Sequence, residues 1–414
     1  MQSIIIGKNQ AGQRLDKFLH KYLPLAGNAF LYKMLRKKNI TLNGKKAEGR
    51  EILAIEDEIC LFLSDETLAK FSGTALSAQS SHLTAKPSFS PEGSRMSAKR
   101  SEETKARPEA LHSRESYMAA QVPGSRNQGN EKQGNLNAVE EYERAYAALK
   151  GIQILYEDED CLILNKPCGV LAQKASAEDL SLNEWMIGYL LTQRRMRREE
   201  LFLFRPSVCN RLDRNTSGIV LCGKSLAGLQ YLSSCIRERK IRKFYRTICA
   251  GALREPETVH GYLVKDPGRN RVYIENCKSS GSSLSSANRF AGIRIPSGEK
   301  TSLIHTSYVP LKTTDAYTLL EVDLITGKSH QIRAHLASLG HPLIGDFKYG
   351  RDTVNRFLKK EYGLEHHLLH ACRVSFPEIS SGPGRELNGR SICAPVPELF
   401  RKLENALLSE DSMR

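Results

Sequence analysis

Apolar residues recur at helical spacing near the start of the chain, thin out through a long polar stretch, and return as short runs in the second half. Leu15, Phe18, Leu19 and Tyr22 share one face of a helix that Pro24 ends, and Phe30, Leu31, Met34 and Leu35 define a second helix. Lys33, Arg36, Lys37 and Lys38 occupy the other side and the end of that second helix. The apolar Ile40-Thr41-Leu42 follows, and Asn43-Gly44 is a dipeptide that closes tight hairpins. Residues 1–64 therefore predict a compact module in which two helices present a basic edge beside a small sheet. From 65 to 145 Ser, Gly, Ala, Gln, Lys and Glu dominate. Too few apolar side chains remain there to offset the entropy of ordering, which predicts a disordered tether.

From about 146 the apolar runs are short: 152–156, 161–164, 208, 219–222, 247–249 and 319–324. Short strands with few long helices between them predict an α+β domain over 146–405 rather than regular βαβ repeats. Residues 275–302, rich in Ser and Gly, read as an inserted surface loop, and 406–414 as a tail.

At 414 residues the chain is long for one domain of about 150 and fits two or three units. Its 61 Lys and Arg against 46 Asp and Glu leave a net charge of +15, which favours a phosphate-rich partner, nucleic acid before an anionic membrane. No apolar run approaches the roughly 18 residues of a membrane span, and the first residues carry no signal-type segment. These features predict a soluble, cytoplasmic protein. The 10 cysteines are scattered among apolar neighbours without a CxxC pair, as reduced core thiols would be.

The chemistry concentrates at Arg211-Leu212-Asp213-Arg214-Asn215-Thr216-Ser217-Gly218. Asp213 stands between two guanidinium groups, with Leu201-Phe202-Leu203-Phe204 on one side and Gly218-Ile219-Val220-Leu221-Cys222 on the other. That flanking predicts an acid at the mouth of two strands. The run 218–225 formally spells a phosphate-binding GxxxxGKS loop, but its intervening residues are apolar and strand-like where such a loop needs flexible backbone. His330, His335 and His341, and again His366, His367 and His370, raise the question of a metal. No Cys or carboxylate cluster completes a tetrahedral set, so a metal is not expected.

The stretch from Thr326 to Leu336 reads as a strand end, a turn, and a helix capped by Ser329, with Ile332, Leu336 and Leu339 facing the core. Arg333 lies beside that stripe, where an unpaired guanidinium is costly, and needs an acid or phosphate partner; Asp213 is available. Lys243-Phe244-Tyr245-Arg246-Thr247-Ile248 alternates as a strand with Tyr245 on the face of Thr247. An aromatic there is either core or a surface for a displaced base.

Two resemblances follow from these motifs. FLYKMLRKKNITLNGKK, within the first 64 residues, resembles the small RNA-binding domain named after ribosomal small-subunit protein four. Residues from about 150 to 400 resemble the RluA-type pseudouridine synthases: LNKPCGVL, RLDRNTSG, KFYRTICAG, LITGKSHQIRAHLASLGHPLIGD and LLHA stand in the family's order. The resemblance implies a mixed, largely antiparallel sheet with flanking helices, beside a small α/β RNA-binding domain. It also implies an isomerase that turns uridine into pseudouridine without a cofactor, on large-subunit ribosomal RNA, with transfer RNA as the alternative and a non-catalytic assembly factor as a second. By the same resemblance Asp213 is the nucleophile, Arg333 its salt-bridge partner, and Tyr245 a catalytic residue that stacks on the base and assists proton removal. Arg211 fills the space of the flipped base and Leu369 packs in the pocket. Asn210, Asn215 and Lys328 depart from the residues usual in these motifs. The expected partner is RNA, bound by a monomer away from membranes.

Overall fold

The computed structural model describes residues 1–71, 131–266, 271–276, 301–378 and 382–409. At the N-terminus β1 (Gln2–Ile5), α1 (Leu15–Tyr22), α2 (Asn28–Arg36), β2 (Ile40–Leu42), β3 (Lys45–Lys46), β4 (Glu58–Leu61) and α3 (Asp65–Phe71) follow in chain order. The strands lie in the order β1-β4-β2-β3 with antiparallel pairing. Leu15, Phe18 and Leu19 of α1 and Leu31 and Leu35 of α2 bury against Ile40, Ile59 and Leu61. Asn43 and Gly44 both take positive φ, 51° and 70°, the backbone that a two-residue hairpin turn requires.

The long stretch expected to be a tether is helical at both described ends, in α3 and in α4 (Glu131–Ala148). Residues 72–130 of it lie outside the described residues. In α4, Tyr142 and Ala145 are buried, and Ala138, Val139, Tyr146 and the following Leu149 pack on the same core. Their spacing of three and four residues makes one narrow apolar face, enough to dock on a larger body though too sparse to stand out against the polar surroundings. The larger unit thus takes in α4, ahead of the expected start at 146. At the other end the expected boundary at 405 cuts through a helix whose Leu407 is buried, as is Leu408 beyond it.

The main body comprises β5 (Gln153–Glu157), β6 (Cys161–Lys166), α5 (Leu182–Thr192), β7 (Ser207–Val208), β8 (Ser217–Gly223) and α6 (Leu226–Arg237), then β9 (Arg242–Ala250) and β10 (Glu257–Asp266). β11 (Arg271–Asn276), β12 (Ser302–Thr313), β13 (Tyr317–Asp323), α7 (Gln331–Ser338), α8 (Asp352–Tyr362), β14 (Leu369–Ser375), β15 (Ser391–Cys393) and α9 (Glu398–Leu407) complete it. The sheet runs β11-β10-β12-β13-β9-β14-β8-β6-β5, with β15 beside β14 and β7 beside β8. Among the described strands of this sheet every pairing is antiparallel except β14 with β8, where His370 faces Ser217 and Ala371 faces Gly218. Gly218 has φ 111°, and a Cβ there would lie 2.2 Å from the Ala371 carbonyl oxygen, so only glycine fits this central junction. Residues 277–300 of the expected insertion lie outside the described residues; 275–276 end β11 and 302 begins β12.

Leu201-Phe202-Leu203-Phe204, expected as a strand, instead overlaps a 3-10 turn over Arg198–Phe202. Leu201 and Phe204 are both buried, and their separation of three places them on one side of a helical turn. The strand that enters the Asp213 loop is the short β7.

Helices α4 and α5 pack with no room to spare: a Cβ on Gly188 would lie 2.1 Å from the Tyr142 carbonyl oxygen. Trp185, the only tryptophan, stacks on Tyr189 with 5.6 Å between centroids and stands 5.4 Å from Tyr146. Gly188→Ala is therefore expected to prise α4 from α5 at a cost of about 1–3 kcal/mol. Thermal unfolding followed by Trp185 fluorescence reads both effects; an unchanged midpoint and spectrum would show that this packing carries no weight.

Candidate active site

Asp213 sits in the loop between β7 and β8. The loop is shaped from below by Lys166, fully buried at the end of β6, whose Nζ donates to the carbonyls of Val170 at 2.8 Å, Pro167 at 3.0 Å and Arg214 at 3.0 Å. Burial brings its pKa down to about 8, against the opposing pull of Cys168 and Asp213. Cys168 Sγ donates to the Asn215 carbonyl at 3.2 Å, and Thr216 N–H closes the turn on the Asp213 carbonyl at 3.0 Å. Asn210 bridges to β8, its amide accepting from Leu221 N–H at 2.7 Å and donating to the Ile219 carbonyl at 3.3 Å. The buried role of Lys166 had two signals in the sequence, its place in the LNKPCGVL motif and its position at the end of an apolar run just before proline; this role of Asn210 had none.

The second histidine group supports the loop through hydroxyls. His367 Nε2 is 2.9 Å from Thr216 Oγ1, and His370 Nδ1 is 2.8 Å from Ser217 Oγ. Burial lowers their pKa values to about 3 and about 4, so both rings are neutral near pH 7. His335 and His341 are likewise hydrogen-bonded, to Thr306 Oγ1 at 2.9 Å and the Ala250 carbonyl at 3.0 Å. Among the described residues no three His, Cys, Asp or Glu side chains are grouped so as to hold a metal ion, and no helix is long and apolar enough to cross a membrane.

Arg333, on α7, is buried and donates from Nη1 to Asp213 Oδ2 at 2.9 Å. Its other edge pairs with a second acid: Nε reaches Asp346 Oδ2 at 2.7 Å and Nη2 reaches Oδ1 at 3.0 Å. Asp346 is 1% exposed and also accepts from the backbone N–H groups of Lys348 and Tyr349. Burial pushes its carboxyl up, but the hydrogen bonds and charge of Arg333 outweigh this and hold it below the ordinary value. One guanidinium thus bridges a buried anchor and a cleft-facing acid. Among the described residues Asp213 Oδ2 takes that hydrogen bond and Oδ1 takes none. α7 begins at Gln331, and the residue before it is His330, in left-handed backbone (φ 56°, ψ 14°); Ser329 is not the cap. The turn is instead held by the Gln331 side chain, whose Oε1 accepts from Thr326 Oγ1 and Lys328 N–H.

Tyr245 is buried on β9, in register with Ala371 on β14 and Val322 on β13. Burial, and then the charge of Asp213, push its hydroxyl pKa up, so it stays a neutral phenol. Leu369 is buried at the start of β14. Asp213, Arg333, Tyr245, Leu369 and the exposed Arg211 all line one cleft of about 1080 Å³. Its walls add Arg214, Arg237, Arg239, Lys243 and Lys328. Lys33, Arg36, Lys37 and Lys38 are exposed on the N-terminal unit and do not line this cleft. The run 218–223 is a buried strand paired along its length with β6, which leaves no loop to cradle phosphates.

Residues 160–338 match the family described as RNA pseudouridylate synthase. The protein named ribosomal large subunit pseudouridine synthase C from Buchnera aphidicola is 32% identical over 261 residues, covering 62% of this chain and 70% of its own. The protein of the same name from Vibrio parahaemolyticus is 24% identical over 404 residues, 97% of this chain and 95% of its own. That from Escherichia coli K12 is 25% identical over 411 residues, 97% of each.

Proposed function

The chain belongs to the RNA pseudouridylate synthase family and is therefore an RNA pseudouridine synthase, an isomerase; we propose that it acts on uridines of large-subunit ribosomal RNA through Asp213. The names of the relatives support the RNA target, and the basic cleft walls suit a phosphate backbone. The observation that carries the chemistry is the asymmetric hold on Asp213: Arg333 engages Oδ2 and leaves Oδ1 for the substrate.

The reaction exchanges one ribose–base bond for another. In this reading Asp213 assists as the N1–C1′ bond breaks. The freed uracil turns within the cleft, and C1′ then bonds to C5. The hydrogen on C5 leaves as a proton and N1 gains one, so the sum is isomerisation with no oxidant or leaving group. The target base has to leave its stack to reach an acid at this depth. Arg211, at the cleft mouth, would occupy the vacated space, while Tyr245 and Leu369 face the base. A neutral phenol at 245 can stack and exchange hydrogen bonds without placing a second negative charge beside Asp213.

Mapping pseudouridine in the RNA of cells lacking this protein tests the reading. At least one large-subunit position should lose the modification and regain it on complementation with the wild-type chain. If ribosomal positions are unchanged and a transfer RNA position is lost, the target assignment fails while the activity stands.

The N-terminal unit, in this reading, is a separate RNA-holding surface built on Lys33, Arg36, Lys37 and Lys38. Replacing all four by alanine should weaken RNA affinity and reduce the slope of log K against log salt by roughly 0.7–0.9 for each phosphate no longer neutralised. Titrations at several salt concentrations check this, and an unaltered slope rules the surface out.

A further inference from the structure

His330 stands at the entrance of α7, three residues before Arg333, and its side chain lines the cleft. Left-handed backbone is uncommon for a residue with a side chain, though histidine is among those that tolerate it, and such outliers cluster where geometry serves function. The conformation turns the ring between two oxygens. Nδ1 is 3.0 Å from the Tyr349 hydroxyl, and Nε2 is 3.8 Å from Asp213 Oδ2.

Two hydrogen bonds favour one placement of the imidazole proton. Tyr349 Oη already accepts the backbone N–H of Val272, at 2.9 Å from β11. Its own proton then has Nδ1 of His330 as the acceptor at hand. A ring that accepts at Nδ1 is neutral and bears its hydrogen on Nε2, the atom turned towards Asp213. Burial lowers the His330 pKa first, and the positive charges of Arg333 and Lys348 act in the same direction, against Asp213 and Asp346. The tyrosine ring itself is held edge-on to His330 and beneath the guanidinium groups of Arg271 and Arg333.

We propose that His330 is a positioning residue for the reaction: an Nε2–H donor, set in its tautomer by Val272 and Tyr349, that closes on Asp213 Oδ2 when RNA fills the cleft. Two donors, Arg333 and His330, then share one carboxylate oxygen and keep Oδ1 turned to the substrate. A gap of 3.8 Å is too long for a hydrogen bond, and donors in empty active sites commonly tighten only in the substrate complex. The inference rests on Asp213 being the reacting acid, and it also links strand β11 to that acid through one tyrosine.

Single-turnover pseudouridine formation should be compared for His330→Phe, His330→Gln and Tyr349→Phe in the full chain. Phenylalanine fills the ring's volume but donates nothing; it should slow the chemical step by about 10- to 100-fold, as for a lost hydrogen bond to a charged group, with RNA affinity unchanged. Glutamine carries an N–H at similar reach and should recover at least about a third of that loss on a logarithmic scale. Tyr349→Phe, which removes the proton that sets the tautomer, should fall between wild type and His330→Phe. Nitrogen chemical shifts of the labelled histidine in the wild-type protein should give the Nε2–H tautomer. A ring protonated on Nδ1, equal rates for the Phe and Gln variants, or a loss confined to RNA affinity each overturns the proposal. Wild-type protein that forms no pseudouridine overturns the parent reading instead, and the tautomer remains measurable either way.

Discussion

Asp213→Asn should lose pseudouridine formation by on the order of 10⁴-fold or more, the scale for removal of a reacting carboxylate. The substitution is unusually clean here. Asparagine has the same shape, its amide oxygen can still accept from Arg333, and Arg333 keeps both hydrogen bonds to Asp346. No buried charge is stranded, so stability should change little, and RNA affinity, which rests on phosphate contacts, should stay within about two-fold. Release of the C5 hydrogen from uridine-labelled RNA measures the chemical step directly. A variant that turns over within about tenfold of wild type would remove Asp213 from the role of nucleophile.

Asp346→Ala should have the largest effect on stability. It removes the buried partner of a buried guanidinium, for which breaking one side of a pair costs about 3–5 kcal/mol. It also strips the acceptor from the N–H groups of Lys348 and Tyr349. Activity should fall as well, since Arg333 loses the anchor that aims it at Asp213. Denaturant titration and the single-turnover rate together check both. The pH dependence has a definite sign. Asp346 has its folded pKa below the ordinary value of 3.8, so its contribution is complete above that pH and is lost as the solution is acidified through the lower folded value. The wild-type protein should therefore lose stability in that acid window more steeply than the alanine variant. Parallel curves for the two would show that Asp346 does not titrate in step with unfolding.

Several strands of the main sheet could be read in the sequence because they are short apolar runs bounded by turn residues, as at 161–164 and 219–222. The physics of a guanidinium beside a core stripe also demanded a counter-charge for Arg333. What it could not show was that there are two. Asp346 lies in the turn after α7, and a carboxylate in a glycine-flanked turn gives no periodic signal that it faces inward. Helix α4 escaped for the opposite reason: its buried residues have the right spacing, but they are diluted by charge, and only the facing α5 makes them a core. The turn at 198–202 was obscured because four apolar residues in succession fit a strand or a helical turn equally well. The signals at Lys166 were masked by its type, since lysine is rarely buried, and three backbone carbonyls supply what a carboxylate usually would.

The lone parallel junction among the described strands sets an order of events during synthesis. Ser217 and His370 meet there although 153 residues separate them in the chain. A ribosome that has made everything up to residue 368 has produced the N-terminal basic unit, Asp213, Arg333 and Asp346, but not the strand that supports the Asp213 loop and supplies Leu369. A nascent chain can therefore complete its N-terminal unit, as early domains do, long before it has a finished cleft. The cleft is complete only once β14 has emerged.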